Sequence, residues 1–286
     1  MSLIIRKKCP FCNNINFKII YSVSYKNNRL SSFIKKYYKN KIPKKINNFY
    51  YNLLECKKCT GIFQEQIPNK SFSFNLYENY ISYKESLKKK QNFDIKNYKK
   101  YFADATFIEK LIKKKPKNIS ILDFGSGWGF WSKFINACNF KVKSYEISNR
   151  RINYLKKNKI FVLKNLKIIK EKFDFIYADQ VFEHLPDPQE TIKILGKVLK
   201  KKGYILLGFP SSFLFKYKLK KNYFPSKDCA HPLEHINILN RKCLSFMIKS
   251  TSLKIVNFKT THNFSIKNLI SDLRNLLIFN NVLLKK

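Results

Sequence analysis

The chain has 286 residues, 44% of them hydrophobic, enough for one core domain of about 150–200 residues with smaller additions. No apolar run approaches the ~18 residues of a membrane span, and the N-terminus lacks the apolar core of a signal peptide. The net charge of +40 is almost entirely lysine, scattered along the chain, with arginine only at 6, 29, 150, 151, 241 and 274. Phosphate and base recognition favour the planar fork of arginine. A coding bias toward Lys, Asn, Ile, Phe and Tyr on a solvated surface therefore explains the charge better than a nucleic-acid footprint, and RNA is a possible partner but not the favoured one.

Seven cysteines, an odd number, argue against a disulfide framework and for a reducing cytoplasm. Cys9-Pro-Phe-Cys12 and Cys56-Lys-Lys-Cys59 are two C-x-x-C pairs, so Cys9, Cys12, Cys56 and Cys59 are candidate ligands of one tetrahedral Zn2+. A redox pair or inert buried thiols are the alternatives. Asn14 and Gly61, two positions past each pair, tolerate the left-handed turn such a knuckle needs. Residues 1–75 then form a zinc-ribbon-like domain, with the Lys-, Tyr- and Asn-rich stretch 24–50 as a surface excursion. Within 84–118, Phe93, Ile95, Tyr98, Phe102, Phe107, Ile108, Leu111 and Ile112 recur at roughly helical spacing. Residues 76–118 read as a helical linker on the core, ended by Pro116.

Ile121-Leu-Asp-Phe-Gly-Ser-Gly-Trp-Gly-Phe-Trp131 reads as a buried strand turning through alternating glycines into a helix. The spacing fails the dinucleotide pattern G-x-G-x-x-G, because Phe130 replaces the third glycine. Asp123 would also repel a pyrophosphate, so a cationic or zwitterionic nucleoside suits this loop better. Residues 140–147 read as the next strand, with Glu146 at its end, 17 residues past Gly129. Phe173–Asp179 reads as another strand. Asp187 and Pro188 then open a helix that continues to Gly203, a C-cap candidate. Tyr204–Pro210 suits a strand buried on both faces. Strand–helix alternation of this kind predicts an α/β fold, a doubly wound, mostly parallel sheet with ligands at the strand carboxyl ends.

The strand followed by D-x-G-x-G-x-G resembles motif I of the class I S-adenosylmethionine (SAM) methyltransferases. Glu146, and Phe173 through Pro188, are similar to the family's later motifs in order and spacing. The resemblance implies a Rossmann-like SAM-binding domain over 119–264, and SAM as the cofactor. It implies cofactor contacts from Asp123, Gly125, Ser126, Gly127, Gly129, Glu146, Asp179 and Gln180, with Glu146 on the ribose hydroxyls. Where the family often has an acidic residue near the adenine, this chain has Lys164 and Asn165. The two cysteine pairs, followed by a Tyr-rich stretch at 76–83, resemble the start of a ribbon-bearing subset of the family. In that subset the zinc is structural, because the protein supplies all four ligands.

Ala230-His-Pro-Leu-Glu-His-Ile-Asn237 resembles the short His-containing element after the subset's fifth strand. The candidates for acceptor binding and base work are His235 with Glu234, then His184 with Glu183; either pair can also serve merely to pin a loop. The letters H-x-x-E-H match an inverted zinc-protease motif, which needs a helix that Pro232 opposes. The element typical of amino-group nucleobase methyltransferases is absent after strand four. Analogy with ribbon-bearing relatives points to a small polar acceptor, such as a sugar, nucleotide sugar or polysaccharide precursor. The alternatives are an RNA methyltransferase and an inactive, zinc-binding interaction module. Residues 265–286 read as an amphipathic helix, packed on the sheet or on a second subunit of a homo-oligomer.

Overall fold

The structure is a computed structural model that describes residues 2–92, 94–212, 214–256 and 279–286. In the N-terminal part, β1 (Leu3–Ile5) pairs antiparallel with β5 (Gln66–Pro68). Strands β2 (Phe17–Ser24), β3 (Tyr50–Cys56) and β4 (Ile62–Gln64) form an antiparallel sheet, with helix α1 (Asn28–Tyr37) between the first two. Helices α2 (Lys70–Asn75), α3 (Tyr83–Gln91) and α4 (Ile95–Ile112) lead to the large sheet.

That sheet is built from β6 (Ser120–Phe124), α5 (Phe130–Ala137), β7 (Lys141–Tyr145), α6 (Asn149–Lys157), β8 (Phe173–Asp179), α7 (Pro188–Val198) and β9 (Leu199–Pro210). Next come α8 (Phe215–Lys220), β10 (Asn237–Ile238), α9 (Arg241–Ile248), β11 (Lys254–Val256) and β12 (Phe279–Lys285). The strand order is β11-β12-β9-β8-β6-β7, with β7, β6, β8 and β9 mutually parallel and β12 antiparallel to β9.

Alternation along the buried strands divides the core in two. Ile121, Phe175, Tyr177 and Leu206 face α4 and α5, meeting Tyr101, Ile108, Trp131 and Ile135. Leu122, Ile176, Ala178 and Leu207 face the other way, toward α7, α9 and the cysteine-bearing ribbon. Covering both faces is what a parallel sheet requires, and it explains why these strands are continuous apolar runs.

Four sequence expectations need correction. Gly203 lies inside β9 rather than capping a helix, because α7 ends at Val198 and Leu199 is already extended (φ −89°, ψ 138°); glycine is needed there for packing, since a Cβ would stand 2.9 Å from Asp174 O and 2.7 Å from Leu199 Cδ1. The stretch 24–50 is more than a surface excursion. Leu30, Ile34, Tyr38 and Ile46 form a second core with Phe215, Ala230, Leu233 and Ile238. The ribbon is also not a separate bead, since β10 adds antiparallel to β4. Finally, Phe279–Lys285, assigned above to the C-terminal helix, is the strand β12. It pairs with β9 from Pro210 to Tyr204, and Leu283 and Leu284 are fully buried. The pairing saturates the β9 edge, which an amphipathic helix cannot do. The rest of the helical reading, residues 265–278, and His262 lie outside the described residues.

Candidate functional site

The four cysteines of the two C-x-x-C pairs converge. Cys9 Sγ lies 3.6 Å from Cys59 Sγ, Cys12 Sγ lies 3.6 Å from Cys56 Sγ, and all four sulfurs are within 4.8 Å of one another. Tetrahedral Zn–S bonds of 2.3 Å place sulfurs about 3.8 Å apart, so the donor set fits zinc. The hydrogen bond with Cys9 pulls the Cys59 thiol down to about 6 and pushes its partner well above the thiol range. Two matching turns hold the pairs, with Asn13 N donating to Cys9 O and Thr60 N to Cys56 O, each at 2.9 Å. The left-handed residues are Asn13 (φ 57°) and Thr60 (φ 59°), one position earlier than Asn14 and Gly61. Gly61 serves packing instead, because a Cβ there would meet the Phe11 ring at 2.3 Å.

At the carboxyl end of β6, Gly125, Gly127 and Gly129 all have φ between 58° and 77°, the region glycine adopts without strain. A Cβ on Gly125 would strike Val181, and one on Gly129 would strike Leu155 and Ile160. At Gly127 nothing lies within 4 Å, so this glycine alone presents bare backbone to open space. Glu146 crosses beneath the loop. Its Oε2 accepts from Gly127 N at 2.9 Å, and its Oε1 accepts from Ile147 N and Ser148 N at 2.8 and 3.0 Å. A carboxylate has about four acceptor directions; on Oε2 the second is unbonded among the described residues but faces Arg151 Nη1 at 3.7 Å. Asp123 is buried and accepts from Ser132 Oγ at 2.5 Å, and burial pushes its carboxyl up to about 7 despite that bond. This bond ties the end of β6 to α5. Ser126 Oγ and Gln180 Nε2 are buried with no hydrogen-bond partner among the described residues, as expected of groups that await a polar ligand. Asp179 sits between Tyr177 OH, at 3.2 Å, and Lys100 Nζ, at 3.9 Å. Asn165 Oδ1 accepts locally from Lys167 N at 2.9 Å.

The segment before α4 closes over this loop. Trp128 Nε1 donates to Ser86 Oγ at 3.1 Å, and Glu78 faces Arg150 at 3.9 Å. Leu76–Tyr80 is a single π-helical turn, a local distortion that often marks functional positions. It carries Tyr77, whose hydroxyl is 3.0 Å from His184 Nδ1.

The sequence pairs His235 with Glu234 and His184 with Glu183; the structure brings the histidines together and gives them other partners. His184 and His235 are edge-to-face, with ring centroids 4.9 Å apart. Glu234 turns away from His235 toward His231 Nε2, at 3.1 Å, and accepts from Tyr38 OH at 2.9 Å. Burial raises the Glu234 carboxyl, yet the His231 hydrogen bond and charge outweigh it and hold the group at about 2. Burial lowers both neighbouring imidazoles, His184 below its usual range and His235 to about 3. Both are therefore neutral near pH 7. The partners missed by sequence reasoning are Tyr38, Tyr77 and His231. Tyr38 lies in the stretch read as a surface excursion, 196 positions from Glu234, and no local pattern signals that contact.

Residues 96–257, more than half of the chain, match the family model described as "Methyltransferase domain". The chain belongs to this family, and its fold and site make it a class I SAM-dependent methyltransferase with an N-terminal zinc-ribbon-like segment. It is 30% identical over 113 residues to the ubiquinone biosynthesis O-methyltransferase of Pelagibacter ubique (strain HTCC1062). That match covers 36% of this chain and 47% of the relative, about half the relative's length. The plantazolicin methyltransferase BpumL, solved with a pentazolic desmethylPZN analog and SAH, superimposes with a TM-score of 0.50 at 17% identity. It covers 71% of this chain and 89% of its own, a likeness of fold. A SAM-dependent methyltransferase from Mesorhizobium loti gives a TM-score of 0.48 at 12% identity, covering 64% of this chain and 98% of its own. Among the described residues, no helix is long and apolar enough to cross a membrane.

Proposed function

We propose that the protein transfers a methyl group from SAM to a small polar acceptor, a sugar, nucleotide sugar or polysaccharide precursor. The observation that supports this reading most is the glycine turn at the end of β6, whose Gly127 N donates to Glu146, together with the paired imidazoles of His184 and His235, 4.9 Å apart. Gly127, Ser126, Glu146 and Gln180 supply backbone and unpaired polar groups for the cofactor. His184 and His235 stand at the acceptor side, with the ribbon and the α1 stretch buttressing the loop that carries His235. When bound, SAM supplies an electrophilic methyl group, so much of the catalysis is positioning.

A hydroxyl or acidic carbon acceptor also needs a base. His235 is placed for it, although burial, which holds it at about 3, makes it a weak base, so that positioning carries most of the rate. Its Nδ1 lies 2.5 Å from Asp228 O, which fixes the proton there and leaves Nε2 free to accept. His184 and Tyr77 position the acceptor, while Glu234, paired with His231, holds the loop. The four cysteines hold a structural zinc ion that shapes the acceptor side. Incubating the zinc-loaded protein with SAM and a panel of nucleotide sugars tests the reading. It predicts S-adenosylhomocysteine release with at least one sugar and loss of that release in His235→Gln; release only with RNA would replace it.

A further inference from the structure

Glu183, His184 and His235 form a second donor group, apart from the cysteines, each offering one ligand atom within 4.8 Å of the other two. Glu183 is 1% exposed, and neither of its carboxyl oxygens has a hydrogen-bond partner among the described residues. An uncompensated buried carboxyl is costly, and few native structures leave one without a reason. Across from it, His184 Nε2 lies 3.8 Å from Glu183 Oε1.

The far nitrogens of both imidazoles prepare them as ligands. His184 Nδ1 lies 2.9 Å from Glu234 O, and His235 Nδ1 lies 2.5 Å from Asp228 O. A carbonyl oxygen only accepts, so His235 Nδ1 carries the proton and its Nε2 the lone pair. His184 Nδ1 faces two oxygens, Glu234 O and, at 3.0 Å, Tyr77 OH, and donating to the carbonyl with the hydroxyl as second acceptor leaves its Nε2 the lone pair as well. A backbone carbonyl behind the far nitrogen is the arrangement that fixes tautomer and ring orientation in metal-bound histidines.

We infer that Glu183, His184 and His235 bind a divalent transition-metal cation at the acceptor side, independently of the tetrathiolate site. Two imidazoles and one carboxylate suit zinc, cobalt, iron or manganese better than magnesium or calcium, which take oxygen ligands. Ligand atoms around such a cation stand about 3–3.5 Å apart, so the triangle tightens by roughly 1 Å on binding, within reach of side-chain rotation. Three protein ligands leave coordination positions open, and an acceptor hydroxyl held there becomes more acidic. With the cation in place, the two histidines act on the acceptor through the metal. Without it, His235 Nε2 takes the proton directly. The assignment rests on these three side chains and stands whether or not the methyl-transfer reading does.

The test adds Co2+ to full-length protein already carrying one zinc per chain, followed by visible absorption, with zinc release monitored. One further equivalent of cobalt is expected, with d–d bands and no sulfur-to-metal charge transfer. Glu183→Gln and His235→Gln should each weaken it at least tenfold while zinc content and melting temperature show that the variants fold. The inference is overturned by three results: no cobalt beyond the zinc stoichiometry, cobalt bound only by displacing zinc from sulfur, or affinity unchanged in both variants. Titrating S-adenosylhomocysteine into the same sample separates the two readings. Its binding without cobalt sinks the cation site alone, and cobalt without it sinks methyl transfer alone.

Discussion

Arg6 donates from Nη1 to Asn237 Oδ1 at 2.9 Å, which ties the N-terminal strand to both histidine-bearing loops at once. The same guanidinium reaches Ile236 O at 3.0 Å and Pro186 O at 3.1 Å. Asn237 in turn donates from Nδ2 to Phe182 O at 2.9 Å and Leu185 O at 2.7 Å. One buried amide thus sets the spacing between His184 and His235. Asn237→Ala removes three buried or part-buried hydrogen bonds, two given to carbonyls and one taken from the guanidinium, each worth about 0.5–1.5 kcal/mol. We expect a loss of about 2–4 kcal/mol, a fall of roughly 5–12 °C in melting temperature, and reduced turnover with S-adenosylhomocysteine affinity intact. Thermal melts and calorimetry on the variant check this.

The glycine loop separates ligand contact from packing. Gly127→Ala meets no atom within 4 Å and bears only the strain of φ 58°, about 1 kcal/mol. It should keep the fold and weaken S-adenosylhomocysteine binding. Gly129→Ala drives its methyl to 2.2 Å from Leu155 and 2.8 Å from Ile160, so it should chiefly lower the melting temperature. Equal cofactor affinity in Gly127→Ala and wild type would remove that face of the loop from the binding site.

The ribbon shares its core with the large sheet. Cys9, Phe11, Cys56, Cys59 and Phe63 belong to the same buried cluster as Leu122 and Ile176. Removing the metal should therefore destabilise the whole chain rather than melt a separate bead. Cys56→Ser should abolish stoichiometric zinc and lower the main melting transition. An unchanged main transition in a zinc-free variant would show that the metal is dispensable to the core.

The Asp123 carboxyl, pushed up to about 7 by burial, makes stability depend on pH. A folded value raised above the unfolded one, about 3.9, contributes stability that is complete below pH 4 and lost as pH rises through 7. Wild type should lose on the order of 2–4 kcal/mol across that window relative to Asp123→Asn. Melting temperatures of both proteins from pH 5 to 8 test it, and parallel curves would mean Asp123 does not titrate there.

Legibility in the sequence tracked locality. The strand-to-loop stretch 121–131, Glu146 and the two C-x-x-C pairs are short-range patterns whose chemistry and spacing are visible in a row of letters. The contacts of Tyr38 with Glu234, Arg6 with Asn237 and Tyr77 with His184 join positions more than 100 residues apart, and no periodicity records them. The Asn14 and Gly61 expectation missed by one residue because C-x-x-C spacing constrains the sulfurs more tightly than the turn beyond. The C-terminal reading overran because Phe279–Lys285 is apolar enough for either a helix face or a buried strand. Only the open edge of β9 decides between them.

The most direct test of the account is calorimetric titration of S-adenosylhomocysteine into zinc-loaded wild type and Glu146→Ala. The account predicts micromolar binding to wild type and a loss of about 2–3 kcal/mol in the variant, the worth of hydrogen bonds to a charged group. No binding to folded, zinc-loaded wild type would contradict a working cofactor site, and equal affinity in the two proteins would remove Glu146 from it.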